Sequence, residues 1–236
     1  MLCKIADLIV EVPAEGGLDS RCRDYLYSGK EKADIVIKPD WYRYEDYGEE
    51  WPQDMIAYLE SGWQFTFYLS HYSGFYLHAS AVAVDGRAYL FSADSGVGKS
   101  THAGLWQQLL GDRVQRINDD KPALRCLDGV WYAYGTPWCG KDGINQNVRV
   151  PLGGICFLKR GSENRIRCVT PQEAAIKMMG QTTYSFQTKE KLDKLVESIS
   201  GLLSQIPVFE LVCRADLDAA RLSYETMCRK AEEMGL

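Results

Sequence analysis

The sequence predicts an α/β fold with several antiparallel strands in one main domain, and three local patterns lead to this class. Two apolar segments, residues 76–91 and 123–134, each carry an Asp-Gly pair near the middle. Asp-Gly supplies the two positive φ angles of a type I′ turn, so both segments are predicted to be β-hairpins. The third pattern is a glycine-rich loop at residues 93–100, between the second arm of the first hairpin and a segment with helical periodicity.

The remaining elements follow from apolar periodicity. Further strands are predicted over residues 3–12, 34–37, 154–160, 165–169 and 208–213, and helices over residues 20–27, 54–70, 171–179, 188–203 and 217–234. Residues 38–53 are polar and aromatic and are predicted to form a surface loop that leads into a helix. Residues 1–73 form an amino-terminal α/β extension, which is either a docking unit or extra sheet of the same domain, and residues 74–236 form the main domain.

Composition limits the classes of partner. The chain has 236 residues, of which 46% are hydrophobic and 25% charged, so it can bury a large core without disulfides. Its 27 basic and 32 acidic residues give a net charge of −5, which argues against nucleic-acid binding. No secretory signal and no apolar run of membrane-spanning length is evident, so we expect a cytoplasmic protein with no membrane partner.

Cysteine and histidine usage predicts no zinc site. The eight cysteines are scattered without a Cys-x-x-Cys pair, and only three histidines accompany them. We expect the cysteines to be buried, reduced thiols that pack like small hydrophobic side chains. We expect His71 and His102 to lie on the surface.

The glycine-rich loop has the spacing of a Walker A motif, except that Ala93 stands where the first glycine is usual. Gly96 and Gly98 allow backbone N–H groups to turn toward a phosphate, and the following helix N-terminus adds partial positive charge. Lys99 can bridge the β- and γ-phosphates, and Ser100 can ligate Mg²⁺. The predicted nucleotide-binding residues are Asp94, Ser95, Gly96, Val97, Gly98, Lys99, Ser100 and Thr101. The alternative is a Gly/Ser-rich turn that caps a helix.

Two adjacent carboxylates follow about twenty residues later. Asp119 and Asp120 come after a short apolar run, residues 114–117, that is predicted to be a strand. Neighbouring side chains of a strand point to opposite faces, so we expect the two carboxylates to have different roles, such as proton acceptor and metal partner. The alternative is a polar turn before Pro122.

These motifs resemble the catalytic domain of HPr kinase/phosphorylase, which belongs to the P-loop superfamily that also contains phosphoenolpyruvate carboxykinases. The resemblance rests on His-Ala-Ser-Ala at residues 78–81, the loop at residues 94–100 and Asn-Asp-Asp at residues 118–120, in that order and spacing. It covers about residues 74–160 and extends weakly to the end of the chain. It implies an HPr kinase/phosphoenolpyruvate carboxykinase-like P-loop fold, with antiparallel hairpins around the phosphate loop.

The chain looks closest to short HPr-kinase-like proteins associated with peptide modification, which phosphorylate serine in peptides such as lasso-peptide precursors. Residues 135–141 and 208–211 add to this resemblance. It implies an ATP-dependent serine kinase that uses ATP and Mg²⁺, acts on a peptide or protein, and can form a homo-oligomer. The amino-terminal part of the HPr-binding enzymes has no match here, so HPr itself is not implied as the acceptor.

The resemblance also implies roles for individual residues. Lys99 and Ser100 would hold the triphosphate and Mg²⁺, Asp119 would accept the proton of the acceptor hydroxyl, and Asp120 would complete the metal or phosphate network. His78 would lie beside the pair and orient it.

Two cationic residues and one loop each have two interpretations. Lys141 and Arg149 are candidate contacts for phosphate or an acidic substrate group, or ordinary surface cations. The loop at residues 137–138 is either a lid or peptide-docking element, or an aromatic side chain packed under a loop. For the whole chain, a nucleotide-binding module without transfer activity is the alternative to a kinase, and carboxykinase-like decarboxylation is a weak third possibility.

Overall fold

The computed structural model describes residues 1–182 and 188–236 and has an α/β architecture. The strands are β1 (Leu2–Ile5), β2 (Leu8–Glu11), β3 (Ile35–Val36), β4 (Gly74–Tyr76), β5 (Ala79–Val84), β6 (Arg87–Ser92), β7 (Val114–Asp120), β8 (Ala123–Leu127), β9 (Val130–Tyr134), β10 (Arg149–Arg160), β11 (Arg165–Cys168) and β12 (Val208–Cys213). The helices are α1 (Leu18–Arg21), α2 (Gln53–Leu69), α3 (Lys99–Leu110), α4 (Pro171–Gln181), α5 (Lys189–Leu203) and α6 (Leu217–Glu233).

The main sheet is mixed, and the long strand β10 connects its two parts. The order is β4-β8-β9-β10-β6-β5-β7, and β12 pairs with both β10 and β11. The start of β10 pairs antiparallel with β9, whereas its later residues pair parallel with β6 on one side and β12 on the other. A strand of 12 residues is long enough to serve both parts of the sheet.

The two Asp-Gly hairpins are confirmed as β5–β6 and β8–β9. Asp85 and Gly86 have φ angles of 50° and 80°, and Asp128 and Gly129 have 49° and 80°, as a type I′ turn requires. The single strand predicted over residues 3–12 is wrong, because the chain turns back between β1 and β2. The first hairpin arm also begins later than predicted, since residues 74–76 form β4, which pairs with β8.

Helices cover both faces of the sheet. Along β6 and β10, alternate side chains face opposite sides, as the period of a strand requires. Leu90, Ile155 and Phe157 belong to a core that includes Met178 of α4 and residues of α5. Phe91, Cys156 and Leu158 belong to a second core that includes Trp106 of α3 and residues of α6.

The amino-terminal residues form a three-stranded sheet, β1-β2-β3, beside the long helix α2. Gly16 lies so close to α2 that an added Cβ would be 2.8 Å from backbone atoms of Asp54 and Tyr58. This part shares a core with residues of the main domain, among them Ala123, Tyr134 and Trp138.

Trp138 is one of the largest buried side chains of that shared core. Its ring stacks on Phe65 with 4.8 Å between centroids, and its Nε1–H donates to Ser61 Oγ over 3.0 Å. Of the two interpretations of the loop at residues 137–138, the packed aromatic fits this placement.

The cysteines differ in part from the expectation of uniform burial. Cys3, Cys22, Cys139 and Cys156 are buried, Cys126, Cys213 and Cys228 are half-buried, and Cys168 is exposed on the outer strand β11. Among the helices of the described residues, none has the length and apolar character that a membrane span requires.

Candidate active site

A cavity of about 500 Å³ lies where the phosphate loop faces the end of β7. β5 lies between β6, which leads into the loop, and β7, which ends in the carboxylate pair, so the sheet order brings separate motifs together. The lining residues are His78, Ser80, Ser95, Gly96, Gly98, Lys99, Ser100, Thr101, Asp119, Asp120, Gly140, Lys141 and Asp142.

The loop takes its shape from two glycines. Gly96 and Gly98 have φ angles of 77° and 123°, which side-chain-bearing residues rarely adopt. Ala93 is not among the residues with positive φ, so a methyl group is compatible with the backbone at the position where the motif usually has glycine. Arg160, at the end of β10, donates from Nε to the Val97 carbonyl over 3.2 Å and also contacts the Gly96 carbonyl.

Lys99 begins α3 and points back over the loop. Its Nζ donates to the Ala93 carbonyl over 3.0 Å. Burial lowers the pKa of Lys99, and the charges of Asp120, Asp119 and Asp94 oppose this shift.

Asp119 is the more buried member of the carboxylate pair, with 7% of its surface exposed. It lies opposite Ser80 in the β5–β7 register and accepts a hydrogen bond from the Ser80 hydroxyl. Arg116 Nη2 forms an ion pair with Asp119 Oδ1 at 3.4 Å, and neither Nε nor Nη2 of Arg116 has a hydrogen-bond partner among the described residues. Asp119 is therefore held on two sides while still lining the cavity.

Asp120 has different partners from Asp119, although both carboxylates line the same cavity, which the expectation of opposite strand faces did not anticipate. Its Oδ2 lies 2.6 Å from Lys121 Nζ, and its Oδ1 lies 3.4 Å from His78 Nε2. His78 Nδ1 lies 3.1 Å from the side-chain oxygen of Gln181. Burial, followed by the charge of Lys99, lowers the pKa of His78, whereas Asp120 and Gln181 act in the opposite direction.

Three predicted site residues, Asp94, Val97 and Arg149, are absent from the cavity lining, whereas Lys141 is part of it. Lys141 is exposed where it lines the cavity. Asp94 lies at the edge of the cavity, where its carboxylate accepts a hydrogen bond from Gln181 Nε2 over 2.7 Å. Val97 lines a neighbouring cavity instead. Arg149 lines neither cavity; it forms an ion pair with Asp7 at 3.0 Å and lies over the Tyr132 ring.

The expectation that His102 lies on the surface is wrong. Only 3% of it is exposed, because α3 turns this face toward α6. Its Nε2 lies 2.9 Å from Ser223 Oγ, whose hydroxyl also accepts from Trp106 Nε1–H and donates to the Ala220 carbonyl. Burial lowers the pKa of His102 to about 4. His71 is exposed, as expected.

The neighbouring cavity, of about 260 Å³, lies on the other side of the phosphate loop. Gly98 and Thr101 line both cavities, and Leu105 and Leu158 give the smaller one an apolar wall. This second space was not evident from the sequence, because its walls come from three separate segments of the chain.

The residues at the larger cavity suit a magnesium ion bound together with phosphates. Ser100 and Asp120 offer hard oxygen ligands, and Mg²⁺ in such sites takes one or two protein ligands and completes its shell with phosphate oxygens and water. In residues 1–182 and 188–236, no cluster of three or more His, Cys, Asp or Glu side chains could hold a metal by itself.

Sequence comparison finds no protein-family model and no curated protein that matches this chain. Among solved structures, the chain is similar to the HPr(Ser) kinase/phosphatase from Coxiella burnetii, with a TM-score of 0.38 and 13% sequence identity. The match covers 66% of this chain and 90% of that chain.

Proposed function

We propose that this protein is an ATP-dependent kinase that transfers the γ-phosphoryl group to a serine-type hydroxyl of a peptide or protein. The observation that carries the proposal is that the phosphate loop, with Lys99 and Ser100, and the carboxylates Asp119 and Asp120 line one cavity. We also propose that the fold is of the HPr kinase/phosphoenolpyruvate carboxykinase type, which the order of the motifs along the chain supports.

The cavity has the components that phosphoryl transfer needs, namely positioning and charge neutralisation. The loop N–H groups, the α3 N-terminus and Lys99 bind the triphosphate. Ser100 and Asp120 hold Mg²⁺, which neutralises charge on the phosphates. The adjoining 260 Å³ cavity, with its apolar wall, offers a place for the nucleoside.

In the proposed step, the acceptor oxygen forms a bond to the γ-phosphorus while the bond from that phosphorus to the β–γ bridging oxygen breaks. ADP leaves with the electron pair, and the hydroxyl proton passes to the Asp119 carboxylate. Ser80 donates a hydrogen bond from its hydroxyl to this carboxylate. A carboxylate that accepts from one hydroxyl is suited to accept from another, which supports Asp119 as the group that takes the proton of the acceptor hydroxyl. In its protonated form, His78 donates from Nε2 toward Asp120 and orients it.

The test is intact-mass spectrometry of a serine-containing peptide library after incubation with the protein and ATP–Mg²⁺. We expect a gain of one phosphate on a subset of peptides. Asp119→Asn should abolish this gain while ATP binding, measured by calorimetry, stays within about threefold. Asp193→Asn, an exposed carboxylate on α5, is the matched control and should behave as the unmodified protein.

The alternative is a nucleotide-binding module without transfer activity. The module would be favoured over the kinase if ATP bound tightly, Lys99→Met abolished that binding, and no peptide gained a phosphate. Absence of ATP binding would overturn both.

A further inference from the structure

The outer face of α2 carries an apolar stripe that starts beside the candidate active site. Trp51 precedes the helix, and Met55, Leu59 and Trp63 follow at intervals of four residues, which places them along one side of the helix. Trp51 and Met55 are 43% and 44% exposed, a large apolar exposure for residues next to a polar cavity.

This stripe lines two further cavities that continue from the catalytic one. A cavity of about 600 Å³ is lined by Trp51, Met55 and Leu59, and it shares Asp120, Gly140 and Lys141 with the catalytic cavity. The next cavity, of about 360 Å³, is lined by Trp63 and shares Leu59 and Lys121 with the cavity of about 600 Å³. Each has the size of a small-molecule site, roughly 300–1,000 Å³.

We propose that the stripe Trp51-Met55-Leu59-Trp63 binds an extended peptide acceptor whose residues flanking the phosphorylated serine are apolar. This inference rests on the proposed kinase function and adds the chemistry of the substrate. The hydroxyl-bearing residue passes the shared wall at Asp120 and reaches Asp119 in the catalytic cavity, and the flanking residues lie along α2.

The length of the stripe favours a peptide over a free amino acid. Met55 and Trp63 are eight residues apart on a helix, about 12 Å at 1.5 Å per residue. That distance matches three to four residues of extended chain at about 3.3 Å each. A free serine would reach Asp119 without touching most of the stripe.

Charge along the cavities also favours an apolar segment over an acidic or basic one. Lys121 forms an ion pair with Asp120. In the cavity of about 360 Å³, Glu60 forms an ion pair with Arg43 and accepts a hydrogen bond from Tyr47. Of the other charged side chains that line the cavity of about 600 Å³, Arg21 donates to the Gly140 carbonyl, and Asp54 and Lys141 carry opposite charges, so the lining as a whole favours neither an acidic nor a basic segment.

The experiment uses the full chain and a positional library of heptapeptides with a fixed central serine, analysed both for phosphate transfer and for retention on protein loaded with a non-hydrolysable ATP analogue. We expect apolar residues to be selected on one side of the serine. Met55→Glu should lower kcat/KM for those peptides at least tenfold and shift selection toward Lys and Arg at the same position, with ATP affinity unchanged. Met234→Glu, at a site 42% exposed beyond the end of α6, is the matched control and should have no effect.

The shift of selection toward basic residues would show direct contact, because a merely structural effect of Met55→Glu would not change the preferred residue. Equal kcat/KM for free serine and the best heptapeptide, or selection without an apolar preference, would overturn the proposal while leaving the kinase intact. A dimer that Met55→Glu dissociates in analytical ultracentrifugation would assign the stripe to self-association and also overturn it. Retention of ATP without transfer to any peptide would instead reject the kinase, and with it the acceptor role of the stripe.

Discussion

Gln181 donates a hydrogen bond from its side-chain Nε2 to the Asp94 carboxylate over 2.7 Å, which ties the end of α4 to the phosphate loop. A carboxylate only accepts, so this bond fixes the orientation of the Gln181 amide. Its oxygen then faces His78 Nδ1 at 3.1 Å, and that nitrogen must carry the proton. Gln181 thereby connects the loop to the histidine beside Asp120.

Replacing Gln181 tests this connection. We expect Gln181→Leu to lower the rate of phosphoryl transfer about tenfold, because His78 and Asp94 each lose a partner, while unfolding free energy falls by only about 1 kcal/mol, the net value of a hydrogen bond. Steady-state kinetics and urea unfolding measure the two effects. Gln172→Leu, an exposed position on the same helix, is the control, and equal losses in both variants would contradict the connection.

The backbone of the phosphate loop predicts opposite results for two small substitutions. Gly98→Ala forces a Cβ onto a residue with φ of 123°, so we expect ATP affinity to fall at least tenfold. Ala93→Gly, which restores the usual motif, should leave affinity within about twofold because Ala93 needs no positive φ. Calorimetric titration with ATP–Mg²⁺ gives both values. A large gain for Ala93→Gly would mean that the methyl group distorts the loop.

The buried His102 predicts a loss of stability in acid. Its pKa is about 4 in the folded protein and about 6.5 when unfolded, so the unfolded chain takes up its proton first as the pH falls. The contribution of His102 to the free energy of unfolding is therefore complete above pH 6.5. It falls by about 3 kcal/mol as the pH drops from 6.5 to 4. Urea unfolding at several pH values measures it against His102→Gln, which keeps a donor for Ser223. An equal loss in the variant would show that other groups cause it.

His78 predicts a proton linked to nucleotide binding. In the free protein burial and the charge of Lys99 hold its pKa below 6.5, and a bound triphosphate offsets the Lys99 charge, so we expect that pKa to rise. Affinity should then increase as the pH falls through the pKa of the bound state. Proton–nitrogen NMR follows this readily, because the chain has three histidines and His71→Gln and His102→Gln assign the others. A fall in the pKa of His78 on binding would contradict the charge argument.

Features encoded in short contiguous segments could be predicted from the sequence. The type I′ turns depend on two adjacent residues, and the strand–loop–helix around Lys99 depends on about twenty, so local chemistry determined both. The turn between β1 and β2 was missed because Ala6 and Asp7 adopt positive φ without a glycine to signal it. His102 had a usable signal, since it lies four residues before the buried Trp106 on α3.

Contacts between distant segments could not be predicted in this way. Gln181 reaches His78 across 103 positions, and Arg160 reaches the loop carbonyls across more than sixty. Ser80 meets Asp119 only because β5 and β7 are neighbours in the sheet. Such pairs depend on strand order, which hydrophobic periodicity does not specify.

Gly140 lines both the candidate catalytic cavity and the adjoining cavity of about 600 Å³, yet residues from the amino-terminal extension hold it on both sides. Its N–H donates to the Tyr58 hydroxyl over 3.2 Å, and its carbonyl accepts from Arg21 over 3.0 Å. A shortened chain that begins at residue 74 would lose both anchors and uncover Trp138. Exchanging the extension for that of another protein would therefore change the catalytic pocket along with the acceptor preference, so neither part can be engineered as an interchangeable module.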